Sequence, residues 1–208
     1  MKIKKSVWVE VLKVLGKVVS QTSPEDVQRA VRFLGGGGSV AAMATDGVEL
    51  VALRLDAEFE GVVDFAVEYK GLRELIHSTR GGEVEVTGKQ LEWPEMEVVP
   101  DDAVAVELPK DFSRLLALAA PVVDRREVRQ ALQGINLSRD GVTAMNGKEL
   151  LNLPCPLKIP EDMTLPFPLA LLTARPEGAG TLHIWRCRNE QLFHIVIGGF
   201  QRQGKALP

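Results

Sequence analysis

Apolar residues recur near the start of the chain at Trp8, Val11, Leu12, Leu15, Val18 and Val19. That i, i+3, i+4, i+7 spacing lays them on one stripe of a helix, with Glu10, Lys13 and Lys17 on the opposite side. The period then changes. Ser39 to Leu55, Val84 to Val86 and Leu182 to Ile197 are short, rich in Val, Ile and Thr, partly alternating and punctuated by glycine, as strands joined by hairpins should be. A second, shorter helix is predicted over Tyr69 to Arg80, with a counterpart over Leu169 to Ala174.

The pattern repeats itself. Trp8 to Val19 matches Phe112 to Val123 with coincident apolar positions, an offset of 112 − 8 = 104. Ala42 to Val51 is echoed by Ala144 to Leu151, and Gly47 stands 100 residues before Gly147. Leu72 to Ile76 against Ala170 to Ala174, and Gly82 to Val86 against Gly180 to Ile184, both lie at an offset of 98. Four features in one order at nearly constant spacing point to a duplication. Each copy reads helix, several strands, helix, several strands, so the expected class is α+β, with two helices per copy packed on antiparallel sheets. A polar turn at Pro100-Asp101-Asp102, between two strand-like runs, sets the expected domains at residues 1–101 and 102–208.

Composition narrows the class further. Of 208 residues, 45% are hydrophobic and 25% charged, enough for one large domain or two of about 100 residues and too apolar for a disordered chain. Twenty-five basic against 28 acidic residues leave a net charge of −3, which excludes a uniformly basic nucleic-acid binder but not a local basic face. Two cysteines, Cys155 and Cys187, and a basic start without an apolar leader-type stretch point to a soluble, cytoplasmic protein in a reducing compartment. No window reaches the roughly 18 apolar residues of a membrane helix, so no membrane partner is expected.

Ala119 to Ile135, including Asp124-Arg125-Arg126-Glu127-Val128-Arg129, followed by Asn146-Gly147-Lys148-Glu149-Leu150, resembles the second domain of the bacterial replicative sliding clamp, the beta subunit of DNA polymerase III. Ala44-Thr45-Asp46-Gly47-Val48-Glu49-Leu50 resembles the corresponding strand of its first domain. The likeness spans essentially the whole chain and rests on order and spacing, since its motifs are packing and turn residues. It implies the DNA clamp fold, in which about six such domains close a ring with helices facing the DNA. It also implies a non-enzymatic processivity factor that encircles double-stranded DNA without reading sequence and tethers a DNA polymerase or repair enzyme, with a clamp loader as a further partner. The familiar bacterial clamp carries three domains per chain and this chain two. Either a third domain is missing, or three two-domain chains close a homo-oligomeric ring. A clamp-derived adaptor that binds protein partners without encircling DNA is the alternative. Asn146-Gly147-Lys148-Glu149-Leu150 departs from the family's Asp-Gly-His-Arg-Leu at that strand, so an altered partner surface is expected.

A sliding ring needs cations on its inner helices and acid outside. Lys13 and Lys17 fall on the polar side of the first predicted helix, Lys70, Arg73 and Arg80 in or beside the second, and Arg114, Arg125, Arg126 and Arg129 near the start of the second copy. Acidic residues gather at Asp56 to Glu60 and Glu92 to Asp102. Amphipathic helices expose lysine in any case; it is the alignment with the family's DNA-facing helices that makes these nine the candidate DNA contacts, Arg125 and Arg126 foremost. Carried over in the same way, the second-domain wall of the family's partner-peptide cleft would be Leu132, Met145, Gly147, Lys148, Leu150 and Pro208. The competing reading of Leu132 and Leu150 is core, and of Gly147 a turn.

Other chemistry is not supported. Gly35-Gly36-Gly37-Gly38-Ser39 lacks the Gly-Lys-Ser/Thr of a nucleotide loop and reads as a hairpin. His183, Cys187 and His194 do not follow a zinc spacing. Asp46 with Glu49 and Asp101 with Asp102 have no adjacent nucleophile and fit turn chemistry, and Trp8, Trp93 and Trp185 read as packing residues rather than a stacking platform. No catalytic constellation, metal or cofactor is expected.

Overall fold

The stripe that begins at Trp8 folds as helix α1, Lys5–Leu15, in the computed structural model, which describes residues 1–36, 39–55, 61–94 and 97–208. Trp8, Val11, Leu12, Val14 and Leu15 are buried on its inner side. The helix stops earlier than its apolar spacing suggests. Gly16 follows it directly, so Val18 and Val19 are buried beyond the helix and Lys17 stands in the turn rather than on the helical face. Tyr69 packs against this end: its hydroxyl donates to the Leu12 carbonyl at 2.9 Å, which also accepts the Gly16 N–H at 3.0 Å, so one carbonyl takes two donors. A Cβ at residue 16 would lie 2.1 Å from that hydroxyl, so glycine is required by the approach.

The chain divides into two units, Met1–Met96 with Gly199–Gln201, and Glu97–Gly198 with Arg202–Pro208. In the first unit β1 (Lys2–Lys4) precedes α1, and β2 (Ala30–Gly36), β3 (Ser39–Thr45), β4 (Glu49–Leu55) and β5 (Val63–Glu68) follow it. Helix α2 (Tyr69–Ser78) and strand β6 (Glu83–Glu85) come next. The strands lie in the order β5-β2-β3-β4, all antiparallel. β1 pairs with β6 so that Lys2 faces Glu85, Lys4 faces Glu83, and Ile3 and Val84 turn inward together. Opposite charges directly across a ladder support such a short ribbon. The core centres on Trp8, which meets the Phe33 ring edge-on at 5.2 Å, with Leu15, Leu72 and Ile76 fully buried. α2 ends at Ser78 rather than Arg80, because Thr79 turns extended and gives both its N–H and its hydroxyl to the Leu75 carbonyl. Gly37-Gly38 of the predicted hairpin turn and the acidic run Asp56 to Glu60 lie outside the described residues.

The second unit holds β7 (Val104–Leu108), α3 (Phe112–Ala119), β8 (Gly134–Ser138), β9 (Gly141–Met145), β10 (Leu150–Pro154), β11 (Met163–Pro166), α4 (Leu169–Ala174), β12 (Gly180–Cys187), β13 (Glu190–Ile197) and β14 (Phe200–Lys205). β14 enters this unit from Arg202 on. The strand order β11-β8-β9-β10 repeats β5-β2-β3-β4, and β7 pairs with β12 as β1 does with β6. The duplication therefore extends from sequence to topology. One turn shows it atom by atom. Asp46 Oδ1 accepts the N–H groups of Val48 and Glu49 at 2.9 and 2.8 Å, while Asn146 Oδ1 accepts those of Lys148 and Glu149 at 3.0 and 2.9 Å. Gly47 and Gly147 take the positive φ each turn requires, 90° and 84°.

The copies part after β6. In the second, the hairpin β13–β14 follows β12 before Leu207 pairs with Thr164 of β11. In the first, Lys89 already pairs with Ala66 of β5, the match of Thr164 at an offset of 98. The three residues between Glu85 and Lys89 leave no length for a hairpin, so among the described residues the several strands expected after the second helix reduce to β6 there. Leu91 and Trp93 instead run against Ala30 and Ala66 and complete a small core without a strand. The predicted turn at Pro100 is present, the Ala103 N–H bonding the Pro100 carbonyl at 3.0 Å, but a strand follows it and none leads into it.

Candidate functional site

Burial of Tyr69, Leu72 and Ile76 fixes which way α2 faces. Lys70, Arg73, Glu74 and His77, on the opposite side of the helix, must then point outward, and all four are exposed. With Gln21 from the turn after α1, and with Tyr69 and Ser78, they line a groove of about 670 Å³. The Tyr69 phenol forms part of that surface while bound to the Leu12 carbonyl, and burial pushes its pKa up, with Arg73 opposing, so it is uncharged at neutral pH. Lys13 is exposed on α1, Lys17 in the following turn and Arg80 in the loop beyond α2. The exposure of Lys70 and Arg73 on α2, and of Arg80 beyond its end, is legible from sequence. The place of Gln21 and His77 in the groove is not, because a reading confined to Lys and Arg passes over a histidine four residues beyond Arg73; the i+4 spacing was the available signal.

The second unit distributes its cations differently. Arg114 is exposed on α3, whereas α4 carries no charged residue. Arg125, Arg126 and Arg129 occupy the irregular segment between two short 3-10 turns, not a helix. The Arg125 guanidinium lies 5.1 Å from the centre of the Phe167 ring, a cation–π contact that orients it without neutralising it. Arg126 is exposed, its N–H held by Asp124 Oδ1 at 2.9 Å. Arg129 is engaged. Its Nε and an Nη reach the two Glu127 carboxylate oxygens at 3.3 and 3.2 Å, and this guanidinium holds the Glu127 carboxyl below the usual carboxylate range.

Arg129 also reaches the residues expected to form the partner cleft, since a Cβ at Gly147 would meet its guanidinium at 2.8 Å. Met145 and Leu150 stand opposite each other on β9 and β10 and are 38% and 66% exposed, so this pair is surface rather than core. Leu132 is 8% exposed and packs inward. Lys148 and Pro208 are exposed. The structure thus sets Arg129, predicted with the DNA contacts, beside Gly147, predicted with the cleft.

The remaining chemistry-bearing residues do not assemble. Among the described residues no group of three or more His, Cys, Asp or Glu side chains could hold a metal ion. His183 faces His194 across β12 and β13, with ring centres 6.1 Å apart. Trp8 on α1 and Trp93 in the irregular stretch after β6 are buried, and Trp185 on β12 is half-buried. No described helix is long and apolar enough to cross a membrane.

No protein-family model matches the chain, and no curated protein sequence does. Solved structures do. The sliding clamp (DNA polymerase III subunit beta) of Bartonella birtlesii bound to griselimycin superposes with a TM-score of 0.80 at 15% identity, over 100% of this chain and 64% of that one. The Helicobacter pylori beta clamp bound to a DNA ligase peptide gives 0.78 at 13% identity, over 100% and 66%. The Bacillus subtilis DNA polymerase sliding clamp gives 0.76 at 14%, over 100% and 64%. The chain thus has the sliding-clamp fold of the DNA polymerase III beta subunit and spans about 64% of the length of the clamps it matches.

Proposed function

We propose that this chain is a clamp-like processivity factor that holds to duplex DNA by sequence-independent phosphate attraction and tethers a DNA polymerase or repair enzyme to it. The observation that carries the reading is the exposed cation set on the helices of a clamp-fold unit: Lys13 on α1, Lys70 and Arg73 on α2, and Lys17 and Arg80 just beyond them. Arg114, Arg125 and Arg126 add exposed charge from the second unit. Such contacts neutralise phosphates and release counterions without reading bases. The role is topological and requires no catalytic group. Met145 and Leu150 offer a partner peptide an apolar contact beside Gly147 and Lys148. The Helicobacter pylori clamp, bound to a DNA ligase peptide, is a structural precedent for a peptide partner.

The adaptor reading, protein binding without encircling DNA, draws on α4, which has no cation to offer a phosphate. Retention separates the two. An encircling clamp, closed by further copies or by additional clamp domains, stays on nicked circular DNA after a salt wash and is lost when the circle is linearised. A protein of monomeric or dimeric mass that is indifferent to DNA in both forms is an adaptor.

A further inference from the structure

We infer that the open edge of β10 is a strand-acceptor site, filled by an extended segment of a different protein that adds to the sheet as residues Gly199–Gln201 add to β4. This rests on the partner reading of Met145 and Leu150 and names how the partner is held. The two strands are counterparts: β3 and β4 set Thr45 against Leu50 as β9 and β10 set Met145 against Leu150. The Asn146 N–H bonds the Glu149 carbonyl at 3.2 Å, and the Cys155 N–H bonds the Asp140 carbonyl at 3.1 Å. Antiparallel alternation between those bonds turns the backbone groups of Leu151 and Leu153 towards β9 and those of Leu150, Asn152 and Pro154 outward. In the first unit the same alternation points the Arg54 N–H outward, where the Gly199 carbonyl accepts it at 2.7 Å. Leu50 is 8% exposed there and Ala52 is buried, whereas Leu150 is 66% exposed and Asn152 is also exposed. β10 ends its four-stranded sheet, and among the described residues no strand pairs with its outer side. Its sequence, Leu-Leu-Asn-Leu-Pro, carries no charge. Apart from the terminal proline it therefore lacks the guards of an edge that stays bare.

A second copy of the chain does not fit this edge. Its first unit has no hairpin after β6 to present, and its Gly199–Gln201 segment lies on its own β4. Two-fold pairing of β10 with β10 about Asn152 would set Leu150 against Pro154 twice and lose a hydrogen bond at each end. A strand from another protein supplies backbone partners to Leu150 and Asn152 and lays apolar side chains beside Leu150 and Met145. The test titrates the full chain with a synthetic peptide of the sequence Gly199–Lys205, Gly-Phe-Gln-Arg-Gln-Gly-Lys, and follows chemical shifts and amide exchange by NMR. The Leu150 and Asn152 amides should become protected. Asn152→Pro removes one outward donor, leaves the ladder to β9 intact and should weaken binding about three- to tenfold, whereas Asn152→Ala should not. Pro154→Arg restores the donor found at Arg54 and should strengthen binding by a similar factor. Circular dichroism of each variant, matched to wild type, establishes that the fold is intact. A peptide that shifts Met145 and Leu150 without protecting the β10 amides, or that binds Asn152→Pro as well as wild type, overturns strand pairing and leaves the partner surface standing. No response at Met145, Leu150 or the β10 amides overturns both. Sedimentation of the chain alone should give the mass of one chain; a dimer that Asn152→Pro dissociates makes a second copy the occupant and overturns the assignment to a different protein.

Discussion

Gly16 and Tyr69 show how much a single contact decides. A phenol from the second helix reaches the last turn of α1, and the absence of a side chain at residue 16 makes room for it. Replacing Gly16 with Ala forces the Tyr69 ring away or opens the Leu12 hydrogen bond, and overpacking of this kind costs about 1–3 kcal/mol. Tyr69→Phe keeps the ring and removes one buried donor, a loss of about 0.5–1.5 kcal/mol. In the double variant the two effects should fall short of their sum, since both act on one contact. Urea unfolding of the two single variants and the double measures all three quantities; strict additivity would mean that Gly16 and Tyr69 do not meet. Charge obeys the same local logic. Arg129 and Arg126 are equivalent in a sequence and both are exposed, yet only Arg129 has its guanidinium bound to the Glu127 carboxylate.

At the scale of elements, the repeated turn before β4 and β10 carries the clearest signal. Asp46-Gly47 and Asn146-Gly147 were legible because an acceptor side chain and a glycine at fixed spacing specify one backbone path. Both glycines sit at positive φ, where any other L-residue costs about 1–2 kcal/mol. Gly147→Ala should therefore lower stability by about that much and, unlike Gly47→Ala, also displace Arg129 from its pairing with Glu127. Loss of the carboxylate's depressed pKa, followed by NMR titration of Glu127, would report it. With its folded-state pKa depressed, Glu127 contributes stability that is present above the unfolded value and lost as pH falls through the folded one. The helices were legible through Trp8, Val11, Leu12 and Leu15, and through the run at Leu72 to Ile76, because a buried face imposes its own period. Their ends were less so: Gly16 lies against Tyr69, 53 residues on, which no local window contains, and Thr79 closes α2 on the Leu75 carbonyl, a bond that apolar spacing does not register. The candidate site was legible only as a set of cations. That Lys70 and Arg73 share a groove with Gln21 and His77 follows from the seating of α2 on Tyr69, Leu72 and Ile76, which a count of lysines and arginines does not register.

Across the whole chain, two copies of one topology have diverged in what they offer a partner. The first has only β6 after its second helix among the described residues and carries exposed cations on both helices. The second keeps the β13–β14 hairpin, has an uncharged α4, and exposes Met145 and Leu150 beside Gly147. Such a division fits a protein that holds DNA mainly through one copy and a protein partner through the other, while its overall charge of −3 remains unremarkable. Duplex affinity measured against salt concentration tests the proposed phosphate contact most directly. With four or five phosphates contacted, log K should fall linearly with log salt at a slope of about −4, and Lys70→Glu with Arg73→Glu should flatten it by about two contacts. An affinity independent of salt, or a slope unchanged in the doubly substituted chain, would contradict phosphate contact by the first unit's helices.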